Sequence, residues 1–349
     1  MSARPGRTRP TLEQVAAHAG VSRATVSRVV NGSPAVDPQL AVRVHQAVAD
    51  LGYVPNQAAR TLVTARTDIV ALVASEPDRR VFDDPFFSAI VRGVSQGLTA
   101  VDLRLMVLMV ATPADVEHIR RYLLSGHVDG ALLVSSHGGD GLPSTLAEAG
   151  LPVVVGGRPP DDGVAVPYVD NDNRAGARRA AEHLRAIGRR CIGTVTGPPD
   201  MSAAVDRLAG FTAGLGRAFR PELVEQGDFT QDGGAAAAAR LLARAPDLDG
   251  VFVANDLMAF GALGALRQAG RQVPGDVAVI GFDDIDLAAA ADPALTTVRQ
   301  RTVEQGSTMA ALLLSLLGRG EAPPGVVPDA ATGAPSVVLP VELILRHSA

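Results

Sequence analysis

Between residues 68 and 282, short apolar runs alternate with longer, Ala-rich amphipathic segments, and this alternation limits the fold more than any other feature of the chain. The runs cover 68–75, 103–110, 129–136, 151–156, 191–196, 251–254 and 277–282. Segments of helical periodicity lie among them at 86–99, 115–124, 174–187, 203–219, 234–245 and 257–269. A strand that is apolar along its whole length is covered on both faces, and a helical crossover returns the next strand parallel to the last. The pattern therefore predicts the α/β class, with parallel sheets between layers of helices. Seven or more such strands predict two doubly wound lobes, with a ligand held between them at the carboxyl ends of the strands. A final strand is expected over 337–346, after a Pro/Gly-rich surface excursion at 320–335.

The chain has 349 residues, more than one compact domain usually holds. Aromatic residues make up only 3% and Trp is absent, so the cores must be built from Ala, Val and Leu. The single Cys191 lies in an apolar run and reads as a small buried hydrophobe. One cysteine cannot form an internal disulfide, which fits a reducing compartment. The basic segment 1–10 leads into an amphipathic stretch rather than a continuous apolar one, and no run reaches transmembrane length. A cytoplasmic protein without a membrane partner is expected.

Charge separates the ends of the chain. Residues 1–66 hold eight Arg against Glu13, Asp37 and Asp50, a balance of +5 that leaves −10 on the remainder for the overall −5. A basic head on an acidic body suits a protein in which only the head meets a polyanion. The head also has its own punctuation. Thr11-Leu-Glu-Gln14 is a capping-box start, after which Leu12, Val15, Ala16 and Ala19 share one helical face. Gly20 ends that helix, Ser22 caps a second, and Val26, Val29 and Val30 form its apolar stripe before Asn31-Gly32. A third helix starts at Asp37-Pro38 and buries Leu40, Val44, Val48 and Leu51. Two short helices joined by a glycine turn form a helix-turn-helix, whose second helix fits the DNA major groove. Arg23, Ala24, Thr25, Ser27 and Arg28 occupy its exposed positions.

Longer motifs sharpen this reading. Thr11-Leu-Glu-Gln-Val-Ala-Ala-His-Ala-Gly-Val-Ser22, Ala24-Thr-Val-Ser-Arg-Val-Val-Asn31, Leu51-Gly-Tyr-Val-Pro-Asn56 and Ala58-Ala-Arg-Thr-Leu62 together resemble the LacI/GalR family of transcriptional repressors. The resemblance implies a helix-turn-helix domain over 10–55, a hinge helix and linker over 56–66, and an effector-binding and dimerisation body over 67–349. The body is expected to resemble periplasmic binding proteins, with a first lobe of about 67–165 plus 285–305 and a second of about 166–284 plus 306–349. In the family the segment matching 56–63 folds on operator DNA, and the residue matching Leu62 wedges into the minor groove. Such a wedge partly unstacks a base step, and two from a dimer kink the duplex. The implied DNA-contacting set is Thr11, Ser22, Arg23, Ala24, Thr25, Ser27, Arg28, Asn31, Tyr53, Asn56, Ala59 and Leu62.

The body carries further motifs that resemble the family's effector site. They are Asp206-Arg-Leu-Ala-Gly210, Gly227-Asp-Phe229, Val253-Ala-Asn-Asp256, Ile280-Gly-Phe-Asp-Asp284 and Leu295-Thr-Thr-Val-Arg-Gln300. By position, Arg207, Asn255 and Asp283 are implied as hydrogen-bonding groups, Phe229 as a stacking platform and Gln300 as a supporting contact. A carboxylate accepts from two hydroxyls, a guanidinium and an amide donate, and an aromatic face covers the apolar side of a ring. Asp84-Pro-Phe-Phe87 resembles the family's pocket-rim loop and adds Phe86, while Ser135-Ser136 adds Ser135. Gly156-Gly-Arg158 stands where sugar-responsive members often carry an Asp, which points Arg158 toward an acidic or phosphorylated ligand.

Nothing in the sequence calls for catalysis. No Gly-x-Gly-x-x-Gly follows a strand, a Walker loop is impossible without Lys, and the seven His are scattered without metal-ligand spacing. No catalytic residue, metal or cofactor is expected. The expected protein is a repressor whose affinity for a pseudo-palindromic operator depends on a small metabolite, a sugar or a related compound. Two-fold operators require two heads, and no leucine heptads follow the last strand, so a homodimer is expected. A solute-binding protein without DNA function is the alternative, and the basic head counts against it.

Overall fold

The computed structural model describes residues 10–30, 36–54, 66–139, 141–160, 163 and 165–349. Asn31, Asn56, Ala59 and Leu62, with all of the expected hinge up to residue 65, lie outside the described residues. The chain divides into two compact units, Met1–Thr67 and Asp68–Ala349.

The first unit contains α1 (Leu12–Ala19), α2 (Arg23–Val30) and α3 (Pro38–Leu51). Thr11 closes the expected capping box. Its Oγ1 accepts from the Gln14 amide at 3.3 Å, and Gln14 Oε1 accepts from the Thr11 amide at 2.9 Å. Gly20 then turns the chain at φ 64°, a left-handed conformation that glycine adopts without a Cβ penalty. Asp37 caps α3 by accepting from the amides of Gln39 and Leu40. Val15, Val26, Val29 and Val44 interlock as the core of the three helices. Arg43 adds a polar tie, donating to the Ala19 carbonyl at the end of α1.

The second unit contains thirteen strands among its described residues: β1 (Ile69–Ala74), β2 (Arg104–Met109), β3 (Gly130–Val134), β4 (Val153–Gly156), β5 (Tyr168–Asn171), β6 (Ile192–Thr196), β7 (Val224–Gln226), β8 (Gly250–Val253), β9 (Ala278–Asp283), β10 (Thr296–Arg299), β11 (Val327–Pro328), β12 (Pro335–Leu339) and β13 (Glu342–Ile344). They form two sheets, ordered β11-β12-β5-β4-β3-β1-β2 and β13-β10-β9-β8-β6-β7. The pairs β11–β12 and β10–β13 are antiparallel, and the others are parallel. Every expected apolar run contains a strand. Three short ones, β5, β7 and β10, carry too many polar residues to register as apolar runs.

The lobe boundaries differ from those expected. Strand β10 pairs with β9 and so belongs to the second lobe, while β11, β12 and the helix Thr302–Leu316 belong to the first. The single strand expected over 337–346 is two. Pro340 has no amide to donate, and the chain there leaves β12 in one sheet and enters β13 in the other. Three crossings therefore join the lobes, after β5, after β10 and after β12. The 320–335 excursion supplies β11, and its turn is held by Asp329, which accepts from the Tyr168 hydroxyl at 2.7 Å and from Thr332.

Helices pack across each lobe through glycine. A Cβ at Gly93 on the helix Pro85–Thr99 would sit 2.1 Å from the Val303 carbonyl oxygen, and one at Gly210 on Ser202–Leu215 would sit 2.1 Å from that of Arg174. Such close approach leaves the backbones themselves in contact.

Candidate functional site

On the first unit, the residues expected to meet DNA gather at the start of α2. Ser22, Arg23, Ala24 and Arg28 are exposed, and Thr25 and Ser27 are half-buried. Ser22 caps α2 by accepting from the Thr25 amide at 3.1 Å, and its hydroxyl also meets that of Thr25 at 2.9 Å. Arg23 extends beside Glu13 at 3.0 Å with both side chains mostly in solvent, so the guanidinium is free to exchange that contact for another acceptor. Thr11, exposed, has its hydroxyl committed to capping. Tyr53 departs from expectation. Its ring lies in the core with Val15 and Val44, only 9% exposed, because the chain after Gly52 folds back over α3. It braces the helices instead of presenting a face to the surface.

On the second unit, Phe86, Ser135, Arg158, Arg207, Phe229, Asn255, Asp283 and Gln300 all line one cleft between the lobes, about 710 Å³ with its open mouth included. Its walls are the carboxyl ends of the parallel strands, where the chain must turn away from the sheet. Four wall or adjoining residues have the left-handed backbone that L residues rarely adopt: Ser135 at φ 53°, Phe229 at 65°, Asp283 at 117° and Asp284 at 57°. Strain of this kind persists where surrounding packing fixes it, commonly at functional sites.

Arg207 is the centre of the wall. It is 5% exposed, its Nε donates to Asn173 Oδ1 at 2.8 Å, and its Nη1 reaches the Ala254 carbonyl and, at 3.5 Å, Asp283 Oδ1. The guanidinium lies over the Phe282 ring, 3.7 Å from its centroid. Gln300 Nε2 donates to the same Asp283 oxygen at 2.8 Å. Burial pushes the Asp283 carboxyl well above the usual range, and the Arg207 charge beside it pulls it back. The neighbouring Asp284 turns away to accept from Arg299 and Arg346, both at 2.6 Å, which makes it a structural carboxylate.

Phe229 rests on the backbone of Gly197, where a Cβ would lie 2.2 Å from the ring. Two guanidiniums approach the same ring, Arg207 at 5.9 Å from the second lobe and Arg80 at 5.5 Å from the first. Asn255 is already committed on both ends of its amide. Its Oδ1 caps the helix Asp256–Gln268 at the Met258 amide, 2.9 Å, and its Nδ2 donates to the Phe229 carbonyl, 3.0 Å. Contrary to the direct contact expected, its first task is to fix the Phe229 backbone, with one N–H left over.

Arg158 is the larger correction. Its guanidinium spans the lobes to Asp206, at 3.1 and 3.4 Å, and its carbonyl accepts from Ser202 Oγ at 2.5 Å. Arg80 is likewise matched by Glu76 at 2.7 Å, and Arg207 by Asp283. Each cleft guanidinium thus faces a carboxylate, Asp206 being shared with Arg174 at 2.8 Å, and Asp84 and Asp170 add two more buried acids to the wall. Burial raises Asp84 above the ordinary range and takes Asp170 up to about 6. Such a lining suits a neutral ligand rich in hydroxyls and disfavours the acidic or phosphorylated one expected from Arg158.

Sequence reading missed Arg80, Asp170, Asn173, Ser202 and Gln305 among the lining residues. Asp170 and Asn173 belong to the polar run Asp170-Asn-Asp-Asn173 at the end of β5, a signal available once that segment is read as a strand. Among the described residues, no helix is long and apolar enough to cross a membrane and no group of acidic, His or Cys side chains could hold a metal ion.

Comparison with known proteins gives consistent matches to both units. Residues 11–56 match the family described as "Bacterial regulatory proteins, lacI family", and 181–349 match "Periplasmic binding protein-like domain". The HTH-type transcriptional regulator CelR of Thermobifida fusca is 49% identical over 314 residues, 88% of this chain and 92% of that protein. The HTH-type transcriptional repressor CytR of Escherichia coli K12 is 32% identical over 357 residues, 100% of this chain and 98% of that protein. Among solved structures, a transcriptional regulator CelR–cellobiose complex superposes with TM-score 0.76 at 44% identity, covering 98% of this chain and 100% of that one. A lac repressor dimer bound to operator and the anti-inducer ONPF gives TM-score 0.83 at 27% identity, covering 98% and 99%.

Proposed function

The chain belongs to the LacI family of bacterial regulatory proteins and is a DNA-binding transcriptional regulator under metabolite control, and from that premise we propose that its effector is cellobiose or a close β-linked glucose disaccharide. The observation that carries this reading is the cleft, in which carboxyls and guanidiniums alternate around the Phe229 ring and every cleft guanidinium faces a carboxylate. Sugar hydroxyls donate to Asp283 and Asp84, accept from Arg207 and Arg80, and the apolar face of a pyranose lies on an aromatic ring. The relative solved with cellobiose bound supports the choice of sugar. A gel-shift titration on the DNA upstream of the chain's own gene tests it, with cellobiose, maltose, ribose and cytidine as candidate effectors. Cellobiose is expected to change operator affinity at least fivefold, about the lower end of ordinary allosteric coupling. Equal indifference to cellobiose and maltose would remove the assignment.

The head is proposed to read the operator through the exposed start of α2. Arg23→Ala is expected to cost about 1–3 kcal/mol on a matched site if Arg23 forms a bidentate pair with guanine. The loss should concentrate at one base position, and a uniform loss across sequences would make it a phosphate contact instead. Leu62 is proposed as the minor-groove wedge and Asn56 and Ala59 as its flanking contacts, on the strength of the family motif.

The working unit is proposed to be a cytoplasmic homodimer. Strand β2 is the edge of its sheet, and its apolar residues Leu105–Met109 are half-exposed or exposed, Val107 at 41%. An uncovered apolar edge invites pairing, and a second copy covers it while supplying the second head that a two-fold operator requires. Mass photometry or sedimentation at low micromolar concentration should give twice 35.9 kDa. A monomer or a tetramer there contradicts the proposal.

A further inference from the structure

At the rim of the cleft one side chain bridges the lobes with charge on both sides of it. His137, just after the wall residue Ser136, places Nδ1 2.8 Å from Asp200 Oδ2 in the second lobe and Nε2 3.4 Å from Glu76 Oε1 in the first. The same contact is reinforced by the backbone, where the Gly138 amide donates to the Asp200 carbonyl at 2.9 Å. Glu76 is 4% exposed and also pairs with Arg80, whose guanidinium lies over Phe229 across the cleft. We propose that His137 is a clasp residue that ties the two lobes together at the mouth of the cleft and, through Glu76, holds Arg80 against Phe229.

The charged groups facing His137 are Glu76, with Arg80 behind it, from the first lobe and Asp200 from the second. Its two ring nitrogens can satisfy both carboxylates only as imidazolium, since the neutral ring has one donor and one acceptor. The two carboxylates, Glu76 foremost, push the His137 pKa up to about 9, so the clasp is charged at neutral pH. Opening the lobes removes Asp200 while Glu76 stays, so the proton is held more tightly when the lobes are closed. Closure and protonation therefore favour each other, and that mutual support is lost as pH rises through the closed-state value. A ligand enclosed by both lobes binds more weakly when closure is less favoured, by the fraction of closed molecules lost.

This inference rests on the cleft being the effector site, but its first test needs no effector. Thermal unfolding of the full chain is compared for wild type, His137→Gln, Asp200→Asn and the double variant at pH 7.5. A working clasp makes the double variant no less stable than the weaker single one, and strictly additive losses overturn it. The second test measures cellobiose affinity by calorimetry at pH 7.5 and pH 10. The wild type should lose about tenfold across that interval, while His137→Gln should start weakened and stay level. The same fall in His137→Gln, or no fall in the wild type, overturns the clasp. If the wild type binds no cellobiose at either pH, the sugar assignment fails alone and the unfolding comparison still decides the clasp.

Discussion

Asp283→Ala is expected to abolish measurable cellobiose binding while leaving unliganded operator affinity within about twofold of wild type. The carboxyl sits at the end of β9 with the φ of 117° that turns it into the cleft, where it is held between Gln300 and Arg207. Two hydroxyls donating to one carboxylate form charge-assisted bonds, each worth about 1.5–3 kcal/mol. Their loss corresponds to a fall of at least about a hundredfold in affinity, because roughly 1.4 kcal/mol is a factor of ten. The variant also leaves Arg207 buried without its carboxylate, a change that commonly costs about 3–5 kcal/mol of stability. Asp283→Asn is the companion, since its amide oxygen still accepts from Arg207 and the fold should be retained. Calorimetry with cellobiose and gel shifts with and without it read both variants. A folded Asp283→Asn protein with wild-type cellobiose affinity would sink the role given to this residue.

The other large effect is on stability and comes from a residue with no side chain. Gly210→Ala places a Cβ 2.1 Å from the Arg174 carbonyl oxygen, 2.8 Å from its carbon and 2.9 Å from its Cα. All three atoms are backbone of the facing helix Asn173–Ala186, so no rotamer change relieves the clash. Overpacking that a core can absorb costs about 1–3 kcal/mol, and a helix that must move bodily should exceed the top of that range. A fall of roughly 10 °C in the Tm of the body follows. Because the Arg207–Asn173 bond spans the same two helices, effector affinity should fall with it. Gly264→Ala is the control. Nothing lies within 4 Å of a Cβ there, and alanine in that helix interior should stabilise by about 0.5–1 kcal/mol. Equal Tm values for Gly210→Ala and wild type would show that the helices can separate freely.

The two variants mark where sequence reading succeeded and where it stopped. Asp283, Arg207 and Phe229 were legible because each stands within a motif of fixed spacing, and Asp283 also follows the apolar run 277–282. The capping box at Thr11 and the turn at Gly20 were legible because caps involve partners within a few residues. Gly210 was visible only as part of a motif, since nothing local reveals what packs against it. Arg80 and Glu76 carry no signature, and their place in the cleft comes from a long-range approach of the lobes.

By itself, then, the sequence determined the alternation of elements, the helical head, the family and several of the polar residues of the cleft. Those features rest on short-range periodicity, capping and contiguous motifs, all of which are written in consecutive residues. Only the tertiary structure decided which strand joined which sheet, that Pro340 divides the last strand between lobes, that Tyr53 lies inside the head, and that Arg158 is neutralised by Asp206. Each of these depends on residues far apart in the chain. Whether a guanidinium is available to a ligand is set by the carboxylate that folding brings beside it, and sequence separation carries no record of that distance.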